Sequence, residues 1–100
     1  MPFVKVARLS EVPAGSARTV DLQGNPVALY NVDGSVYATT NTCPHRGGPL
    51  GEGTLADGVV TCPWHRFQYD VKTGACKTNP ALHLACHKVM LEGEDILIEG

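Results

Sequence analysis

Cysteine and histidine stand close together twice in this 100-residue chain, as Cys43-Pro44-His45 and as Cys62-Pro63-Trp64-His65, with the sixteen residues 46–61 between the two groups. Each group offers one soft thiolate and one imidazole, donors that suit a transition-metal centre. Pro44 and Pro63 fix φ and remove a backbone donor, while Gly47, Gly48, Gly51 and Gly53 let the backbone bend tightly and approach a bulky inorganic group. The pattern therefore predicts a metal centre wrapped by two loops, 41–53 and 61–67. A structural zinc site also accepts two cysteines and two histidines, but zinc fingers usually keep the two cysteines on one loop and the two histidines on another, whereas here each loop is mixed. A free-thiol reading leaves the double Cys-Pro-His pattern to coincidence.

The other reactive side chains have plainer readings. Cys76 and Cys86 lie outside both groups and read as small core hydrophobes. His83, Cys86 and His87 would cluster on a helix, but Leu82, Leu84, Val89 and Leu91 around them suit a strand, so the histidines read as surface or partly buried residues. Trp64 and Phe67 are expected to shield the centre from water. Arg46 and Arg66 each follow a paired histidine directly, and the two cations are expected to flank the site and meet an acidic rim on a partner.

The elements that must hold these loops are short strands. Runs at Phe3–Leu9, Ala17–Leu22, Val27–Asn31, Ser35–Thr40, Gly58–Thr61, Phe67–Val71, His83–Leu91 and Asp95–Glu99 are separated by turn chemistry such as Asp33-Gly34, Asp57-Gly58 and Thr73-Gly74. Leu9-Ser10-Glu11-Val12 can make one helical turn before Pro13 stops it. The reading is all-β, a small antiparallel sandwich or barrel in one domain over 1–100, with a subdomain made of the two loops. Hydrophobic residues at 43% and charged residues at 18% fit an ordinary globular domain, and a net charge of -2 excludes a general nucleic-acid binder. No run approaches the roughly 18 apolar residues of a membrane span, and Met1–Ser10 has no basic-then-apolar leader, so the expected compartment is the cytosol, with thiols reduced or metal-bound.

The two groups and their spacer resemble the ligand pattern of the Rieske iron–sulfur proteins at all four positions, and the chain resembles that family's free-standing ferredoxins over almost its whole length. The resemblance implies one 2Fe-2S cluster, with Cys43 and Cys62 on one iron and His45 and His65 on the other. Two ferric ions and two sulfides leave a double positive charge that two thiolates cancel, whereas four would leave the cluster doubly negative. Histidine ligation therefore eases electron uptake, from about -400 mV for all-cysteine plant-type clusters to roughly -150 to +300 mV.

Within the family, respiratory and photosynthetic members carry a membrane anchor and a disulfide whose cysteines would fall at Gly48 and Trp64, and oxygenase α-subunits add a large catalytic domain. What remains is a carrier similar to the ferredoxin of bacterial aromatic-ring dioxygenases: not an enzyme, monomeric, taking single electrons from a flavin-dependent ferredoxin reductase and passing them to a terminal oxygenase. A small subunit of an assimilatory nitrite reductase is the alternative. High-potential members also place serine and tyrosine hydroxyls near the cluster, at positions that fall on Phe67 and Tyr69 here.

Overall fold

The computed structural model describes residues 3–43, 48–64 and 66–99. Among the described residues ten strands run in chain order: β1 (Phe3–Arg8), β2 (Ala17–Leu22), β3 (Asn25–Val32), β4 (Ser35–Thr40), β5 (Thr54–Ala56), β6 (Val59–Thr61), β7 (Gln68–Asp70), β8 (Cys86–His87), β9 (Val89–Glu92) and β10 (Asp95–Glu99). They form three antiparallel sheets, ordered β1-β10-β9, β2-β3-β4-β8 and β5-β6-β7, so the all-β expectation holds.

Tight turns set the hairpins. Gln23-Gly24, Asp33-Gly34 and Asp57-Gly58 each place two successive residues at positive φ, the pairing that matches strand twist in two-residue loops. The first residue of each pair is not glycine, and asparagine or aspartate tolerates that conformation best, which suits Asp33 and Asp57. The single helical turn forms as a 3₁₀ turn over Leu9–Glu11, where the Glu11 carboxylate accepts the Arg8 N–H at 2.8 Å.

The central strand β3 is buried on both faces. Val27 and Leu29 point into one core with Ala7, Val12, Val20, Ile96 and Ile98, which joins the first two sheets. Ala28 and Tyr30 point the other way, into a second core with Leu50, Leu55, Val60, Tyr69, Val71 and Leu84. A run of four apolar residues thus reads as a strand covered twice rather than a strand with one wet face. The second core joins the β2-β3-β4-β8 sheet to the loops and to β5-β6-β7.

Two expectations are corrected in detail. The strand expected over His83–Leu91 is broken: β8 pairs with β4, β9 pairs with β10, and Lys88 between them gives its carbonyl to the Glu99 N–H at 3.1 Å. The chain changes sheets at this point, where pairing with β4 gives way to pairing with β10. Second, Leu50–Glu52 forms a 3₁₀ turn within the loop expected over 41–53, and Thr54–Ala56, for which no strand was expected, forms β5, because Leu55 enters the second core and Gly58 permits the hairpin to β6.

Candidate metal centre

The first loop is tied down at its base by one buried amide. Asn41 is almost fully buried, and its Oδ1 accepts from the Thr19 hydroxyl at 3.0 Å and from the Gly51 N–H at 2.8 Å. Its carbonyl accepts the Leu50 N–H at 2.8 Å. Asn41 therefore fastens both ends of the loop, 41 and 50–51, to β2. Gly51 makes this possible, since a Cβ there would strike the Thr19 side chain and the Arg18–Thr19 backbone. Next along the loop, the Cys43 N–H donates to the Gly48 carbonyl at 2.9 Å.

The second loop leaves β6 at Thr61 and returns through Phe67, whose carbonyl accepts the Cys62 N–H at 2.7 Å. Its turn passes through Arg66 at φ +57, a left-handed conformation costing roughly 1 kcal/mol for a side-chain-bearing residue. Arg66 is exposed.

These loops bring Cys43 and Cys62 together at the end of the second core, each 1% exposed and within hydrogen-bonding reach of the other. The Tyr69 hydroxyl, buried on β7, lies 3.1 Å from the Cys43 sulfur. The Trp64 backbone N–H favours the Cys62 thiolate. Burial pushes the Cys62 thiol up, the Trp64 N–H pulls it down, and the neighbouring Cys43 raises it again. Burial, then the hydrogen bond with Cys43, also holds the Tyr69 phenol well above its ordinary range, so it stays a neutral donor at physiological pH.

Two buried sulfurs, each with a hydrogen-bond donor beside it and walled by apolar side chains, suit anionic thiolate ligands. The chemistry of this donor set fits the thiolate half of an iron–sulfur cluster. The expected imidazole half, His45 and His65, lies outside the described residues, as does Arg46.

Other expected residues resolve individually. Phe67 is partly buried against the second core, as a shield would be, but Trp64 is 51% exposed. Trp64 sets its Cβ and Cγ against Gly48 and leaves about half of the residue to solvent. Cys76 is buried and accepts the Asn79 N–H at 3.2 Å, whereas Cys86 is exposed on β8 and is not the core residue expected. The edge position of β8, two residues long, leaves Cys86 only partial cover. His83 is exposed and His87 partly buried, as expected. Sequence reasoning missed Asn41, because its partners Thr19 and Gly51 lie 22 and 10 residues away.

Comparison with known proteins places this geometry. The model of the Rieske [2Fe-2S] domain matches residues 2–88. The biphenyl dioxygenase ferredoxin subunit of Pseudomonas sp. (strain KKS102) is 38% identical over 101 residues, spanning 99% of this chain and 93% of that protein. The ferredoxin of carbazole 1,9a-dioxygenase from Nocardioides aromaticivorans IC177 superposes with a TM-score of 0.90 at 30% identity, over 98% of this chain and 97% of the other. A chain in a complex of reduced oxygenase and oxidized ferredoxin in carbazole 1,9a-dioxygenase superposes at 0.89 with 33% identity, over 98% and 93% of the two chains. Two buried cysteines at the roots of two loops, on a β-fold shared from end to end with ferredoxin components, lead to one conclusion: the chain belongs to the Rieske [2Fe-2S] domain family, and its cofactor is a single Rieske 2Fe-2S cluster.

Proposed function

We propose that this protein is the ferredoxin component of an aromatic-ring dioxygenase system: a one-electron carrier, not itself an enzyme, that receives electrons from a flavin-dependent reductase and delivers them to a terminal Rieske oxygenase. The observation that carries the reading is the pair of buried sulfurs under the Tyr69 hydroxyl, on a chain that covers 93% of a dioxygenase ferredoxin subunit. Cys43, His45, Cys62 and His65 hold the cluster. When bound, the cluster supplies a one-electron couple raised by its two histidines.

The chain's own residues do the rest. Tyr69 keeps its proton and directs it at the Cys43 sulfur, the Trp64 N–H favours the Cys62 thiolate, and Phe67 keeps water from the wall. Hydrogen bonds to sulfur favour added negative charge, so each favours the reduced form. Among the described residues no helix is long and apolar enough to cross a membrane. The carrier works as a monomer in the cytoplasm, with 1–100 as one domain.

The test is a reconstituted chain: NADH, a dioxygenase-system reductase, this protein and a Rieske oxygenase, with oxygenase reduction followed by its visible spectrum. Reduction that depends on this protein supports the carrier role. Failure to couple, together with co-purification and coupling with a nitrite reductase catalytic subunit, would instead establish the nitrite reductase alternative.

A further inference from the structure

Among the described residues six glycines sit at positive φ, where the backbone asks for glycine whatever surrounds it. Gly48 is not one of them, and its need for a bare Cα is one of space. A Cβ built there would stand 2.7 Å from the Cys62 sulfur, 3.0 Å from Trp64 Cγ and 3.1 Å from Trp64 Cβ. The first of these is closer than real Cβ atoms come to any heavy atom. The same residue's carbonyl holds the Cys43 N–H at 2.9 Å. Gly48 thus touches both cysteines at once, one through its carbonyl and the other through its missing side chain.

From this we infer that Gly48 is a positioning residue that sets the place of the Cys62 sulfur against Trp64. The inference rests on Cys62 being a cluster ligand. If a methyl group is added at 48, something must move. Cys62 is buried and bonded to its neighbours, and Cys43 is tied to Gly48 itself. Trp64 is half exposed and has solvent to move into. The second loop therefore yields at Trp64, and the reduced form loses part of the stabilisation that the Trp64 N–H gives the Cys62 thiolate. Gly48 acts through Trp64 and Cys62, not on the transferred electron.

The experiment compares Gly48→Ala with Gly34→Ala, both in the holoprotein. Gly34 lies at φ +94 in a distant hairpin with nothing within 4 Å of a built Cβ, so alanine there strains the backbone without touching the site. The expected result is a lowered midpoint potential and shifted paramagnetic g-values in Gly48→Ala, with both unchanged in Gly34→Ala. Loss of iron from Gly48→Ala, with its circular dichroism kept and iron retained in Gly34→Ala, also supports the inference. A wild-type potential and g-values in Gly48→Ala, or iron loss from both variants, would overturn it. Cys62→Ser separates the two readings: if it keeps its full iron and Rieske spectrum, the ligand assignment itself is wrong, whereas loss there with a silent Gly48→Ala defeats only the role given to Gly48.

Discussion

Tyr69 on β7 and Cys43 in the first loop, 26 residues apart in sequence, meet hydroxyl to sulfur at 3.1 Å in a site closed to solvent. Removing the hydroxyl withdraws one donor from a sulfur that grows more negative on reduction. Tyr69→Phe should therefore lower the midpoint potential by tens of millivolts, since about 0.5 kcal/mol of hydrogen-bond difference corresponds to roughly 20 mV in a one-electron couple. The wild type should sit in the lower half of the roughly -150 to +300 mV range, because Phe67 has no hydroxyl and positions 48 and 64 carry no cysteines. Film voltammetry at pH 7 decides both points, and a value above about +100 mV would contradict the second.

His45→Cys and His65→Cys should each lose or convert the Rieske centre, because a third thiolate adds negative charge at the histidine-ligated iron. Cys76→Ser should keep the Rieske spectrum, since serine preserves an acceptor for the Asn79 N–H. Iron and acid-labile sulfide assays on the three variants are the check; loss from Cys76→Ser with retention in His45→Cys would refute the ligand set.

Reversing both Arg46 and Arg66 to glutamate should slow electron transfer to the oxygenase while moving the potential far less. The wild-type rate should fall as salt rises, the charges being screened over about 10 Å at 0.1 M ionic strength. Stopped-flow rates against ionic strength test this. A salt-independent rate that survives the double reversal would reduce the arginines to solvated surface charges.

Asn41→Ala should destabilise the fold by about 1–3 kcal/mol, because it strands the buried Gly51 N–H and takes an acceptor from Thr19. Gly51→Ala should cost a similar amount, about 1–3 kcal/mol, by forcing the loop off β2. Urea denaturation gives the difference. Equal midpoints for wild type and Asn41→Ala would remove the amide's role as an anchor.

Burial pushes the Tyr30 phenol far above its ordinary value, an effect partly offset by its 2.8 Å bond with the Thr39 hydroxyl. A raised folded-state value means the contribution is whole below the unfolded phenol's pKa of about 10 and is lost as pH climbs toward the folded value. The urea midpoint should hold between pH 8 and pH 9 and drop by pH 11. In Tyr30→Phe the drop should be smaller, and an equal drop in both proteins would acquit Tyr30.

What could be read from sequence follows the range of the interactions involved. The hairpins at Asp33-Gly34 and Asp57-Gly58 were visible because the residues that specify them are adjacent, and β2 and β4 took the bounds that their flanking turns set. The Cys43–Tyr69 contact was anticipated only through family resemblance. The anchor at Asn41, the fit of Gly48 against Cys62 and the half-exposure of Trp64 depend on which strands and loops come to lie side by side, and no local pattern encodes that. The break at Lys88 escaped for the same reason: residues 83–91 are strand-like throughout, and only the competing pull of β4 and β10 divides them.

The pairing of β1 with β10, which sets Phe3 opposite Glu99, governs the order in which the molecule can assemble. β1 is synthesised well before β10 and has no neighbour in its sheet until that strand is made. The β2-β3-β4 meander can zip up from nearest neighbours, and both cysteine loops emerge while that first strand still waits. Closure across nearly the whole length of the chain is the kind of non-local contact that makes β-proteins slow to fold, and it leaves an unpaired strand edge open to aggregation in the interval.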